Sequence, residues 1–98
     1  MLLHLLNKSP EHAALQRCAG FIRHGDCLVL LEDGVYCATS NAGAALRELI
    51  KRGIPLYAVS ADVEARGLSA RLGPDIKLIN YEELVALSIQ YTKSKRWG

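Results

Sequence analysis

The sequence lacks the short motifs that mark most catalytic and nucleotide-binding sites. Its 98 residues contain neither a G-x-G-x-x-G nor a G-x-x-x-x-G-K-[ST] phosphate loop, and no G-x-S-x-G turn around a nucleophilic serine. The three histidines, His4, His12 and His24, do not have the spacing of metal ligands. These absences argue against the common nucleotide-binding, serine-hydrolase and zinc-enzyme classes.

Charge excess and long apolar runs are also missing. Twelve basic and ten acidic residues leave a formal net charge of +2, far from the basic excess of a typical nucleic-acid-binding domain. No apolar run approaches the roughly 20 residues that cross a bilayer, and the segment 1–6 is too short for the core of a signal peptide. We therefore expect a single domain over 1–98 in the cytoplasm, with no membrane partner.

The chain has three cysteines, and their spacing matches no known cysteine motif. Cys18, Cys27 and Cys37 are odd in number and form no C-x-x-C pair, so neither a zinc site nor a disulfide framework is predicted. We expect free thiols, as in other proteins of a reducing cytoplasm. No metal ion and no organic cofactor is predicted.

What the sequence does contain is a regular alternation of strand and helix patterns. Such alternation predicts an α/β domain with a mostly parallel four-stranded sheet and helices on both faces. Asp62 and Asn80 are predicted to cap the helices that follow them. The predicted strands cover 2–6, 27–31, 56–59 and 76–79. The first predicted helix begins at Ser9-Pro10, and the other three cover 42–52, 62–67 and 81–91.

Two acids and a glycine, Glu32-Asp33-Gly34, follow the second predicted strand. Reacting groups gather at the carboxyl ends of parallel strands, so this position suits a site, including one for a small molecule. Asp-Gly is also a common turn pair, in which the glycine takes a positive φ. Because Glu32 and Asp33 are adjacent and form no evident acid–base pair, a turn is the favoured interpretation.

The thiols are the remaining candidates for chemistry. Cys27 opens a strand that is predicted to be buried and is interpreted as a core residue. Cys37 would gain thiolate character if it occupied the first turn of a helix, although the acids before it oppose this. Cys18 shares an apolar helix face with Leu15 and Ile22, which favours burial. From the residues alone, Cys18 and Cys37 remain equal candidates for a reactive thiol.

The chain as a whole resembles the DsrH/TusB family of sulfur-relay subunits. Several short stretches, spread over nearly all 98 residues, carry this resemblance. No single stretch is specific to the family, but their order and spacing along the chain are. The stretches that carry the resemblance are LHLLNKSP at 3–10, LLEDGVY at 30–36, YAV at 57–59, DVEARGL at 62–68, INY at 79–81 and the tryptophan at 97.

The resemblance implies a DsrE-like three-layer fold and a place in a dimer of heterotrimers with homologous DsrE/TusD-like and DsrF/TusC-like subunits. Such complexes take persulfide sulfur from an upstream carrier protein and pass it onward. In the Tus version the sulfur reaches C2 of the tRNA wobble uridine, and the subunit would meet tRNA only indirectly. In the Dsr version the complex serves sulfur oxidation. A non-catalytic structural subunit of the same complex is a further alternative.

The resemblance also bears on the individual cysteines. DsrH-type members keep a cysteine in the first helix with a glycine seven residues later, and Cys18 and Gly25 match this spacing. The resemblance therefore implies that Cys18 is a possible persulfide carrier, and it implies nothing for Cys37. The main sulfur-carrying cysteine of such complexes belongs to the DsrE/TusD subunit.

The C-terminal segment 93–97 holds Lys93, Lys95 and Arg96. This basic tail could contact tRNA or a partner protein. We expect instead a solvated terminus with Trp97 packed against its own or a neighbouring subunit.

Overall fold

The computed structural model describes residues 1–39 and 43–98, so that Ala42, the first residue of one predicted helix, lies outside the described residues. Among the described residues, no helix combines the length and the apolar character that a membrane span requires. The elements are β1 Leu2–Leu6, α1 Ala14–Phe21, β2 Cys27–Leu30, a 3₁₀ helix Glu32–Ala38, α2 Ala44–Lys51, β3 Leu56–Val59, α3 Ser60–Ala65, a 3₁₀ turn Ser69–Arg71, β4 Ile76–Ile79, α4 Tyr81–Gln90 and β5 Lys93–Trp97.

All strands are parallel and follow the order β4-β3-β2-β1-β5. The predicted α/β class and parallel sheet are confirmed, but within residues 1–39 and 43–98 the sheet has five strands and not four. The additional strand is the C-terminal segment, which pairs with β1 from Leu2 opposite Lys93 to Leu6 opposite Trp97. A charged segment is well suited to the edge of a sheet. Residues 93–96 remain exposed there, as expected of a solvated terminus, and Trp97 packs against Phe21 of its own chain, so only the strand itself was not predicted.

Helices pack on both faces of the sheet, which gives the fold three layers. One face is covered by more helices than the other. On one face, called the first face, residues such as Leu6 and Leu30 pack against α1, α2, α3 and the 3₁₀ helix. On the opposite, second face, Leu3, Val29 and neighbouring residues pack against α4. The alternation of strand side chains produces these two separate apolar clusters.

Helix beginnings were predicted with mixed success. The cap on α4 is confirmed, since the Asn80 side chain accepts from the Glu83 N–H at 2.8 Å and the Glu83 carboxylate accepts from the Asn80 N–H at 3.0 Å. By contrast, α1 begins only at Ala14, after a turn in which the His12 N–H bonds to the Ser9 carbonyl. The prediction for Asp62 is wrong, because α3 begins at Ser60 and places Asp62 in its first turn.

Candidate functional site

The Glu32-Asp33-Gly34 motif begins the 3₁₀ helix at the carboxyl edge of the sheet. The positive φ predicted for Gly34 is wrong, because Glu32 is the residue of this motif that lies in the left-handed region, with φ 51°. The Glu32 N–H donates to the Asp62 carboxylate at 2.9 Å. The backbone of Gly34 lies directly against the carbonyl of Leu6 at the end of β1. The motif therefore makes a tight turn that is fixed to both the sheet and α3.

An ion pair strengthens this attachment. Arg66 donates to one carboxylate oxygen of Asp33 from Nε at 3.2 Å and from Nη2 at 2.9 Å. The Asp33 side chain is 63% exposed, so water screens the pair. Two sequence motifs, one after β2 and one at the end of α3, thus meet through Asp33 and Arg66. This contact gives Asp33 a structural partner.

Replacing Asp33 with alanine is expected to cost less than about 1 kcal/mol of unfolding free energy, because an exposed ion pair contributes little. For the sulfur-relay complex that the resemblance to the DsrH/TusB family implies, we also expect unchanged association with partner subunits and unchanged sulfur transfer. Urea unfolding would measure the stability, copurification with the partner subunits the association, and a sulfur-transfer assay on the assembled complex the transfer. A variant that assembles normally but no longer transfers sulfur would show that Asp33 takes part in the chemistry.

An open cavity of about 470 Å³ lies beside this motif. It combines carboxylate and hydroxyl groups, but no cysteine or histidine is among its lining residues. Among residues 1–39 and 43–98, no cluster of His, Cys, Asp and Glu is arranged to hold a metal ion. The cavity therefore offers hydrogen-bonding groups without a strong nucleophile. Its lining residues are Ser9, Pro10, Glu11, Asp33, Tyr36 and Thr39.

The three thiols lie inside the protein. Cys18, Cys27 and Cys37 each have 0% of their surface exposed and form no disulfide. Cys18 packs on the inner face of α1 with Leu15 and Ile22, which confirms the predicted apolar face. The Cys37 S–H donates to the carbonyl of Lys8 with a sulfur–oxygen distance of 3.6 Å.

Burial also keeps these thiols protonated. It raises the pKa of Cys37 to about 12, and burial together with the nearby Asp26 and Cys37 raises the pKa of Cys18 to about 12. At pH 7, roughly 10⁻⁵ of such a thiol is ionised. Because the thiolate is the nucleophile, neither residue is reactive in this conformation. The condition for thiolate character at Cys37, a place in the first turn of a helix, is not met, since Cys37 stands near the end of the 3₁₀ helix.

The sequence reasoning missed a buried polar cluster of three side chains, His4, Asp26 and Trp97. His4 Nε2 lies 2.9 Å from the Asp26 carboxylate, and Trp97 Nε1 donates to His4 Nδ1 at 3.0 Å. Since an indole N–H only donates, Nδ1 of His4 accepts this hydrogen bond, and Nε2 is the ring nitrogen that faces the carboxylate. The one available signal was a histidine inside the apolar strand 2–6.

Asp26 is the centre of this cluster. Its carboxylate also accepts from the backbone N–H of Leu2 at 2.8 Å and of Arg23 at 3.0 Å. Burial alone would raise the pKa of Asp26, but the hydrogen bonds from His4, Leu2 and Arg23 outweigh it and lower the pKa. The cluster joins β1, β5 and the loop before β2, and we assign it a structural role.

Comparison with known proteins places this architecture in a family. Residues 8–94 match the model of the family described as DsrH like protein. The chain is 38% identical over 96 residues to Protein TusB of Pectobacterium carotovorum subsp. carotovorum, covering 98% of this chain and 100% of that protein. It is 36% identical over 99 residues to Protein TusB of Escherichia coli, with the same coverage of 98% and 100%.

Solved structures agree on the fold. The ychN protein of E. coli superposes with a TM-score of 0.81 at 16% identity, covering 97% of each chain. Protein Tm0979 from Thermotoga maritima gives a TM-score of 0.67 at 23% identity, covering 92% of this chain and 93% of that one. The family match and the full-length TusB relatives confirm the resemblance seen in the sequence: the chain belongs to the DsrH family.

Proposed function

We propose that this chain is one subunit of a heterohexameric sulfurtransferase complex that passes persulfide sulfur between proteins in the cytoplasm. Membership in the DsrH family and the full-length similarity to TusB proteins support this proposal. Its partners would be DsrE/TusD-like and DsrF/TusC-like subunits and an upstream sulfur carrier. Because the curated relatives carry the Tus name, 2-thiolation of the tRNA wobble uridine is favoured over sulfur oxidation.

The burial of all three thiols carries the proposal for this subunit's own role. In persulfide transfer, a thiolate attacks the outer sulfur of a donor persulfide, the S–S bond of the donor breaks, and the donor leaves as a thiolate. The attacking sulfur must therefore be exposed and ionised. Since no thiol of this chain meets either condition, we propose that it completes the complex and shapes docking while a partner's cysteine carries the sulfur.

The carrier role of Cys18 stays a prediction and is the second candidate. It would require α1 to move away from the first face, so that the thiol leaves the contact with Leu15 and Ile22 and enters water. Exposure would also remove the burial that raises its pKa. The matching spacing of Cys18 and Gly25 is the observation that favours this alternative.

Intact-mass measurement after exposure to a persulfide-loaded donor protein distinguishes the two roles. We expect the wild-type chain to gain no sulfur, both alone and in the complex with its two homologous subunits, because Cys18 is inaccessible. As a positive control, the chain is denatured before exposure to the donor. Its thiols should then react, and the added sulfur shows that the assay can detect the modification.

The Cys18→Ser variant is the matched control. A mass increase of one sulfur atom that is reversed by reductant and absent in Cys18→Ser would identify Cys18 as a carrier and contradict the structural role. Failure of the chain to copurify with its two homologous subunits would instead contradict the proposed complex itself.

A further inference from the structure

Strand β5 forms one edge of the sheet, and its backbone is open on the side away from β1. Within residues 1–39 and 43–98, β5 pairs with β1 alone, so alternate N–H and C=O groups of the segment Lys93–Trp97 face no other strand. Such an edge is a template to which an extended segment of another chain can add. The side chains beside the edge determine which kind of segment fits.

The side chains of β5 make this edge basic. Trp97 packs against the apolar cluster of the first face, and strand side chains alternate, so Lys93 and Lys95 also point to the first face. Neither lysine forms a salt bridge among the described residues, whereas Arg96 on the second face lies 4.0 Å from the Glu32 carboxylate. The two lysines therefore leave uncompensated positive charge along the first-face side of the edge.

An exposed aromatic ring accompanies these charges. Phe21, the last residue of α1, is 50% exposed, and its ring lies edge-to-face against Trp97 with the centroids 5.6 Å apart. The Lys95 ammonium lies 5.5 Å from the Phe21 centroid and 4.7 Å from the Trp97 centroid, within the range of cation–π attraction. These contacts hold the Lys95 charge at a defined place beside the edge. Helix α1 contains no acidic residue that could neutralise it.

We propose that the β5 edge binds an extended acidic segment of another protein, which adds to the sheet as a further strand. Acidic side chains at alternate positions of that segment lie opposite Lys93 and Lys95, and opposite charges across a strand pair are stabilising. Because a neighbouring strand lies about 4.8 Å from β5, the aliphatic parts of these side chains also reach the exposed half of Phe21. The proposal concerns a surface of this chain and does not depend on the sulfur-relay role.

The charges distinguish this occupant from the alternatives. Two β5 strands of separate copies would bring like charges together, which is destabilising across a strand pair. Lysines that only protected the edge from pairing would not need an exposed phenylalanine beside them. Single-stranded nucleic acid also binds to aromatic rings beside cations, but it has no amide backbone to pair with a strand edge. An acidic polypeptide satisfies the backbone, the lysines and the ring together.

Titration of the full-length chain with a blocked peptide tests the proposal. The peptide alternates threonine and glutamate and is long enough to span the segment Lys93–Trp97, and its control has glutamine in place of glutamate. Calorimetry measures the affinity, and the fluorescence of the single tryptophan, Trp97, reports whether binding occurs beside Lys95. At low ionic strength we expect the glutamate peptide to bind roughly tenfold more tightly than the control, and added salt to weaken it.

The pattern of charge tests strand addition itself. A peptide of the same composition, with its glutamates grouped at one end, should bind more weakly, because only alternate residues of a strand share a face. Equal affinity for the alternating and the grouped peptide would show general charge attraction and would contradict a strand at this edge.

Charge reversal on the protein identifies the contact. Lys93→Glu/Lys95→Glu should weaken binding of the glutamate peptide by roughly tenfold to hundredfold, and the variant should instead bind the corresponding lysine peptide. Lys77→Glu reverses an exposed cation on the other edge strand, β4, and should change the affinity by less than about twofold.

Four results would each overturn the proposal. They are a glutamate peptide that binds no better than the glutamine peptide, an unchanged affinity in the double variant, failure of the lysine peptide to bind that variant, and tighter binding of single-stranded oligouridylate than of the glutamate peptide. The last result would identify the surface as one for nucleic acid.

Discussion

Replacing Asp26 with alanine is expected to destabilise the fold by about 3–5 kcal/mol, because it leaves buried hydrogen-bond donors without an acceptor. The carboxylate accepts from the N–H groups of Leu2 and Arg23 and from His4 Nε2 at 2.8 to 3.0 Å. These contacts join the start of β1 to the end of the α1–β2 loop. Urea unfolding, followed by the fluorescence of the single tryptophan, Trp97, measures the loss.

A suitable control for this substitution is Glu64→Ala, which removes an exposed carboxylate from α3. We expect it to change the unfolding free energy by less than about 0.5 kcal/mol. A loss below about 1 kcal/mol for Asp26→Ala would contradict the central role assigned to this carboxylate.

The pH dependence of the Asp26 contribution follows from its lowered pKa. A carboxylate with a lower pKa in the folded state than in the unfolded state contributes stability that is fully present above the unfolded value of 3.8. This contribution is lost as the pH falls through the lower, folded value. The difference in stability between the wild type and Asp26→Ala should therefore narrow in acid.

Replacing Gly34 with alanine is expected to destabilise the chain by about 3 kcal/mol or more, because there is no space for a side chain. A Cβ atom at this position would overlap the carbonyl oxygen and carbon of Leu6 and would crowd the Cα of Asn7. These atoms belong to the backbone of β1 and its continuation, so they cannot move aside as a flexible side chain would. Urea or thermal unfolding of the purified variant measures the effect.

Gly20→Ala is the matched control for this substitution. A Cβ atom at Gly20 would meet no other group within 4 Å, and the residue lies inside α1. Because alanine favours helix over glycine, we expect Gly20→Ala to raise the unfolding free energy by about 1 kcal/mol. If Gly34→Ala were as stable as the wild type, the 3₁₀ helix would not be held against β1 as closely as the structure shows.

The sequence by itself determined the alternating framework of the fold. Strands β1, β3 and β4 have the predicted bounds, β2 ends one residue earlier than predicted, and the Asn80 cap is where the pattern placed it. These features could be predicted because burial and capping repeat with the period of the local structure. The order and spacing of short motifs along the chain also identified the family correctly.

The tertiary structure alone decided β5, the protonation of the thiols and the polar contacts. His4 and Trp97 are 93 residues apart, and Asp33 and Arg66 are 33 apart, so no local period encodes either contact. The segment Lys93–Trp97 becomes a strand only because β1 offers it a free edge. Likewise, an apolar helix face predicts that Cys18 packs inward, but only the layers above the sheet make its burial complete, and that burial determines its pKa.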